Sequence, residues 1–121
     1  MLEGMLQMAK DDFDVIVFKI LSYLYSCLKN GARVDVCNLR EVLKVNIPDS
    51  YWEYIIRELC YSGYVEGVIL FKNIFVLDDR INIQDNFKIK PEGIYFLSEN
   101  SRMDKAKKFL QDARECLFWV Q

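Results

Sequence analysis

The stretch SYWEYIIRELCYSGY, Ser50 to Tyr64, decides how the rest of the chain is read. Placed on a helical wheel at about 100° per residue, Trp52, Ile55, Ile56, Leu59 and Cys60 share one side, the core-facing stripe of an amphipathic helix. Tyr54, Arg57 and Tyr61 point the other way, flanked by Tyr51 and Glu58. Ile47-Pro48 disfavours helix before the proline, Pro48-Asp49-Ser50 offers a turn and a cap, and Ser62-Gly63 supplies the stop. A polar face built on tyrosines rather than lysines raises the question of what it touches.

Working outward, Asp11 and Asp12 can cap, and favour the positive end of, a helix in which Phe13, Ile16, Val17, Ile20, Leu21, Leu24 and Leu28 recur at helical spacing. It runs to about Lys29, and Asn30-Gly31 gives a left-handed stop. Asp35 caps a short second helix, Val36 to Leu43, with Leu39, Val42 and Leu43 on its apolar face. After Tyr64 the β-branched and aromatic runs YVEGVILF, IFVL and INI, broken at Lys72-Asn73 and Asp78-Asp79, predict a hairpin or a small three-stranded sheet as far as Ile89. Pro91 suits the first turn of a helix over Pro91 to Glu99, which Gly93 weakens.

Ser101 with Asp104 resembles a capping box and opens a last helix to about Trp119. Along it Met103, Ala106, Leu110, Ala113, Leu117 and Val120 keep a 3-4-3-4-3 spacing, widened by Phe109, Cys116 and Phe118. That seam either docks on the first helix or pairs with a second copy as a homodimer. The expected class is α+β, mostly α: a winged helix-turn-helix over residues 10–100, a tail over 1–9, and a long C-terminal helix over 101–121. Met8 is at least as plausible a start as Met1.

Composition limits the chemistry. A chain of 121 residues that is 52% hydrophobic makes one domain with a real core. Its 16 Lys and Arg against 18 Asp and Glu leave a net charge of -2, so no global field draws phosphate. There is no histidine, the commonest general base and zinc ligand, and Cys27, Cys37, Cys60 and Cys116 form no CxxC pair. Phosphate loops, nucleophile elbows and metal-spaced carboxylates are absent too. The expectation is a non-enzyme with no cofactor or metal, reduced and mostly buried thiols, no membrane segment and a cytoplasmic location.

Three segments, MAKDDFDVIVFKILSYLY, YWEYIIRELCYSGYVEG and IKPEGIYFLSENSRMDKAKKFL, resemble the YjcQ family of small winged-helix proteins of Firmicutes and their phages. The most telling is Ile89 to Leu97 followed by Glu99-Asn100-Ser101, which is similar to the family pattern I-T-P-x-G-x-x-Y-L-x-E-N-S. It departs at Lys90, where a capping threonine is usual, and in the order Tyr95-Phe96-Leu97. The resemblance implies the fold and a phage or prophage setting, and no ligand.

In the leading reading the protein is a regulator of double-stranded DNA. Ser50, Tyr51, Tyr54, Arg57 and Tyr61 face the major groove, with Arg57 able to grip guanine, and Lys72, Asn73 and Arg80 meet phosphates. Asp49, Glu53 and Glu58 on the same helix oppose it, as do Glu66, Asp78, Asp79 and Asp85 in the hairpin region. The alternative is an acidic adaptor or inhibitor whose tyrosines anchor a protein partner. In the bland reading Tyr51 and Tyr54 edge the core with their hydroxyls in water. Arg102, Lys105, Lys107 and Lys108 form the richest basic patch, and a solvated helix face accounts for it.

Overall fold

A computed structural model describes residues 9–72, 74–75 and 79–113, with side chains to residue 110. The elements in order are α1 (Phe13–Asn30), α2 (Leu39–Leu43), α3 (Asp49–Tyr61), β1 (Val65–Phe71), β2 (Arg80–Ile89), α4 (Pro91–Glu99) and α5 (Ser101–Ala113). The class is α+β, mostly helical, with one two-stranded antiparallel sheet among the described residues. Ile74 and Phe75 lie in a turn, so within these residues the hairpin, and not the three-stranded sheet, is formed.

Helix α1 sits at the centre and packs against α2, α4, α5 and β2. Every residue from Val15 to Leu21 is buried, which is the behaviour of a helix enclosed on all sides rather than one with a single apolar stripe. The expected stripe is therefore wrong at its ends: Phe13 and Leu28 are exposed, while Val15, Phe18 and Lys19 are inside. Lys19 is tolerated because its ammonium donates to the carbonyl of Lys44, at 3.4 Å, where α2 ends in a left-handed residue. A cation at a helix C-terminus meets carbonyls that have no partner within the helix.

Four caps differ from expectation. At α3 the cap expected from Pro48-Asp49-Ser50 is not made: Pro48 stands at the N-cap with no side-chain bond, and Asp49 and Ser50 are already helical. The Asp12 carboxylate turns back to accept from the backbone N–H of Ala9, 2.9 Å away, and caps nothing in α1. Asp35 accepts from the N–H of Asn38 at 3.2 Å, a turn that occupies the next residues and delays α2 to Leu39. At α5 the cap is Asn100, not Ser101: its side-chain oxygen accepts from the N–H of Arg102 at 2.8 Å, and its carbonyl from those of Met103 and Asp104.

The hairpin is irregular. Pairing runs from Phe71 opposite Arg80 to Val68 opposite Ile83, then resumes at Glu66 opposite Lys88. Gly67 stands at this bulge with φ +91°, and a Cβ there would lie 2.6 Å from the backbone of Asn86. Gly93 plays a second such role. Rather than weakening α4, it lets the helix rest on Tyr64, whose carbonyl would be 2.5 Å from an added Cβ and which accepts from the N–H of Lys90 at 2.8 Å.

Met103, Ala106 and Leu110 are buried, and α5 packs on α1 and α4. Of the two alternatives for the seam, this part takes the intramolecular one. The side chain of Ala113, and Cys116, Leu117, Phe118 and Val120, fall outside the described residues, as do residues 1–8 of the expected tail and Met8 with them. Among the described residues α5 spans 13 residues and α1 spans 18, so the longest described helix is the first. Among the described residues no helix is long and apolar enough to cross a membrane.

Two substitutions test this packing by urea unfolding. Leu110→Ala should lower stability by about 2–5 kcal/mol, as for a fully buried leucine, with no change in hydrodynamic size. Gly93→Ala should cost about 1–3 kcal/mol through overpacking against the Tyr64 carbonyl, although alanine is the better helix former.

Candidate functional site

Helix α3 packs on both strands of the hairpin. Its apolar stripe lies where expected: Trp52, Ile55, Ile56 and Leu59 are buried and Cys60 is half-buried. Its other side divides in two. Ser50, Tyr54 and Tyr61 are exposed, whereas the Glu53 and Arg57 side is covered by the start of β2 and the residue before it.

Arg57 does not point outward as the helical wheel predicts. It is only 9% exposed, and its guanidinium donates to the carbonyl of Asp79 at 3.1 Å and lies 3.9 Å from Glu53 one turn back. Arg80 presents its fork to the same carboxylate, with Nε and one terminal nitrogen each 3.0 Å from a different oxygen of Glu53. That two-pronged bond is the strong form of the pair and raises the Arg80 pKa above its usual value. Lys72 lies 3.2 Å from Asp79, and the Tyr61 hydroxyl donates to the other Asp79 oxygen at 3.1 Å. The Lys72 ammonium first, then the Tyr61 hydroxyl, hold the Asp79 carboxyl below its ordinary 3.8.

Each described cation assigned to DNA on this face is thus engaged by an acid of the same chain. Arg40 follows the pattern, with its guanidinium 2.7 Å from Asp49 and over the Trp52 ring. Asn73 lies outside the described residues. Tyr51 is half-buried, and its hydroxyl donates to the Asp11 carbonyl at 2.9 Å, tying α3 to the start of α1. Tyr54 is 48% exposed and tilts against Phe13, with ring centres 6.3 Å apart.

The hairpin exposes what its continuous apolar run left unassigned: Ile69, Phe71, Ile74 and Phe75 are all largely in solvent. The signal in the sequence was IF directly after Lys72-Asn73, an apolar pair where a loop is usually polar. Arg102, Lys105, Lys107 and Lys108 are exposed on α5, Arg102 lying 3.7 Å from Asp14. Cys27 is buried and Cys60 half-buried, but Cys37 is exposed in the turn before α2, against the expectation of mostly buried thiols. Cys116 falls outside the described residues. Among the described residues no three His, Cys, Asp or Glu converge as a metal site.

A family model described as YjcQ protein matches residues 18–116, and the chain belongs to that family. Comparison with curated proteins and with solved structures gave no match.

The clamp on Asp79 makes a pH prediction. A carboxyl whose pKa is lower in the folded state contributes its stability above the ordinary carboxylate range and loses it as pH falls through the depressed value. In urea titrations Asp79→Asn should be less stable than wild type near pH 7, and the two curves should converge below about pH 3. Curves that keep a constant separation across that range would show that the clamp adds nothing.

Proposed function

For this member of the YjcQ family we propose a winged helix-turn-helix that acts as a protein-protein interaction module, without catalysis, in a cytoplasmic phage or prophage setting. The order α1, α2, α3, β1, β2 supports the winged-helix reading, with α3 in the recognition position and the hairpin as the wing. The observation that carries the interaction reading is the neutralisation of that face. Arg57, Arg80 and Lys72 bind Asp79 and Glu53 instead of standing free for phosphate or guanine.

What α3 and the hairpin leave exposed instead is Tyr54 and Tyr61 on the helix and Ile69, Phe71 and Ile74 on the hairpin. Exposed aromatic and aliphatic side chains on a rigid frame are the usual anchors of protein interfaces. An adaptor, or an inhibitor that occupies another protein, fits this chemistry.

DNA binding is the second reading, and one observation favours it. Lys105, Lys107 and Lys108 on α5 are exposed, with no carboxylate engaged among the described residues. Through them a regulator would hold the phosphate backbone from α5 and not from α3.

Fluorescence anisotropy against random duplexes and fragments of the surrounding genome separates the two. The interaction reading expects no saturable binding at about 0.15 M salt. A photo-crosslinking amino acid in place of Tyr61 should then give a discrete protein adduct in the native host. Saturable, salt-dependent DNA binding that is lost in Lys105→Glu/Lys108→Glu would overturn the proposal in favour of the regulator.

A further inference from the structure

Beside the exposed edge of α3 at Tyr54, between α1, α3 and α4, runs an aromatic trough. Its first part, a cavity of about 360 Å³, is walled by Phe13, Val17, Tyr54, Tyr64 and Phe96 with Glu58 at its lip. The second is a shallow, open depression over α4 bordered by Tyr95, Glu92 and Glu99. Tyr64 and Phe96 belong to both, and their rings stack at 4.7 Å to form the shared wall. Tyr95 stands at the far end with 63% of its surface in solvent.

The charge along this trough has one sign. Among the described residues that line it there is no lysine or arginine, and the three charged side chains are all glutamates. None of Glu58, Glu92 and Glu99 is engaged by a cation of the described chain, in contrast to Glu53, Asp79 and Asp49 around the hairpin. Asp14 nearby is already matched by Arg102. Unengaged carboxylates beside exposed aromatic rings are complementary to cations with apolar neighbours: the carboxylate takes the charge and the ring face takes the stem and the π contact.

We infer that this trough is the docking site for a basic, partly apolar segment of the partner protein, one in which arginines alternate with aliphatic residues. The inference rests on the interaction reading above and names the partner's chemistry. Arginine fits better than lysine because its planar head stacks on tyrosine while its donors reach a carboxylate. Tyr54 belongs both to the exposed edge of α3 and to the trough, so one partner can cover both surfaces.

The test titrates the isotope-labelled full chain with the peptide acetyl-Arg-Leu-Arg-Leu-Arg-amide at about 0.15 M salt, read by amide chemical shifts. The same peptide with glutamate in place of arginine serves as the control. Shifts should concentrate at Tyr64, Glu92, Tyr95, Phe96 and Glu99, and the glutamate peptide should give none. Glu92→Gln/Glu99→Gln should weaken binding about tenfold, and Tyr95→Ala about two- to fivefold. All three positions are exposed, so the fold tolerates the changes. Shifts centred elsewhere, or affinity unchanged in both variants, would overturn the trough. If a protein adduct at Tyr61 persists in that case, only this site is lost; DNA binding in the anisotropy assay would remove the reading on which it rests.

Discussion

The fold depends on enclosing α1. A helix whose residues from Val15 to Leu21 are all buried has no face along that stretch to give to water, and α2, α4, α5 and β2 together cover it. Helix α2 ends over Lys19, β2 and α4 close further sides, and α5 lays Met103, Ala106 and Leu110 against what remains. This is why the heptad-like spacing of α5 is satisfied within one chain. A seam of small and large apolar residues is blind to whether its partner helix belongs to the same molecule, and an uncovered α1 decides the matter for the part of the seam that is described.

The hairpin is held to α3 differently. Its contact there is polar as well as apolar, with Glu53 taking Arg80 and Asp79 taking Lys72, Tyr61 and, through its carbonyl, Arg57. Each such pair is worth little where solvent reaches it, and the two-pronged Arg80 bond is the strongest by geometry. Their joint consequence is electrostatic: they occupy Arg57, Lys72 and Arg80 with acids of the same chain and leave exposed tyrosines and apolar side chains uncovered. The same pairings that fix the hairpin lower the affinity of that face for a polyanion.

Most of the fold was legible from local signals. The bounds of α1, α3 and α4 follow from Gly31, Pro48, Gly63 and Pro91, each a position where backbone geometry leaves little choice. What was not legible depended on residues far apart. Arg57 lies opposite the core stripe on any wheel, yet a residue 22 positions later buries it, and the partner of Arg80 stands 27 positions before it. Periodicity reports which side of a helix is apolar and carries no information about a hairpin folding over the polar side. The cap at Asn100 was missed for another reason: Asn-Ser offers two capping residues in succession, and local sequence does not say which of them the helix uses.

The candidate site was half legible for the same cause. Counting Asp49, Glu53 and Glu58 against one Arg57 already made α3 a poor phosphate binder, and the pairings extend that count to Lys72 and Arg80. The sign of a surface is set by which charges are left after internal matching, not by those the chain contains. Among the described residues Glu53, Glu66 and Asp79 at the hairpin are matched; Glu58, Glu92 and Glu99 along the trough are not, and on α5 Lys105, Lys107 and Lys108 remain against one Asp104. Among the described residues the unmatched charges thus include an acidic group beside aromatic rings over α3 and α4 and a mainly basic group on α5. A partner that meets the first need not resemble one that meets the second, and the fold by itself selects neither.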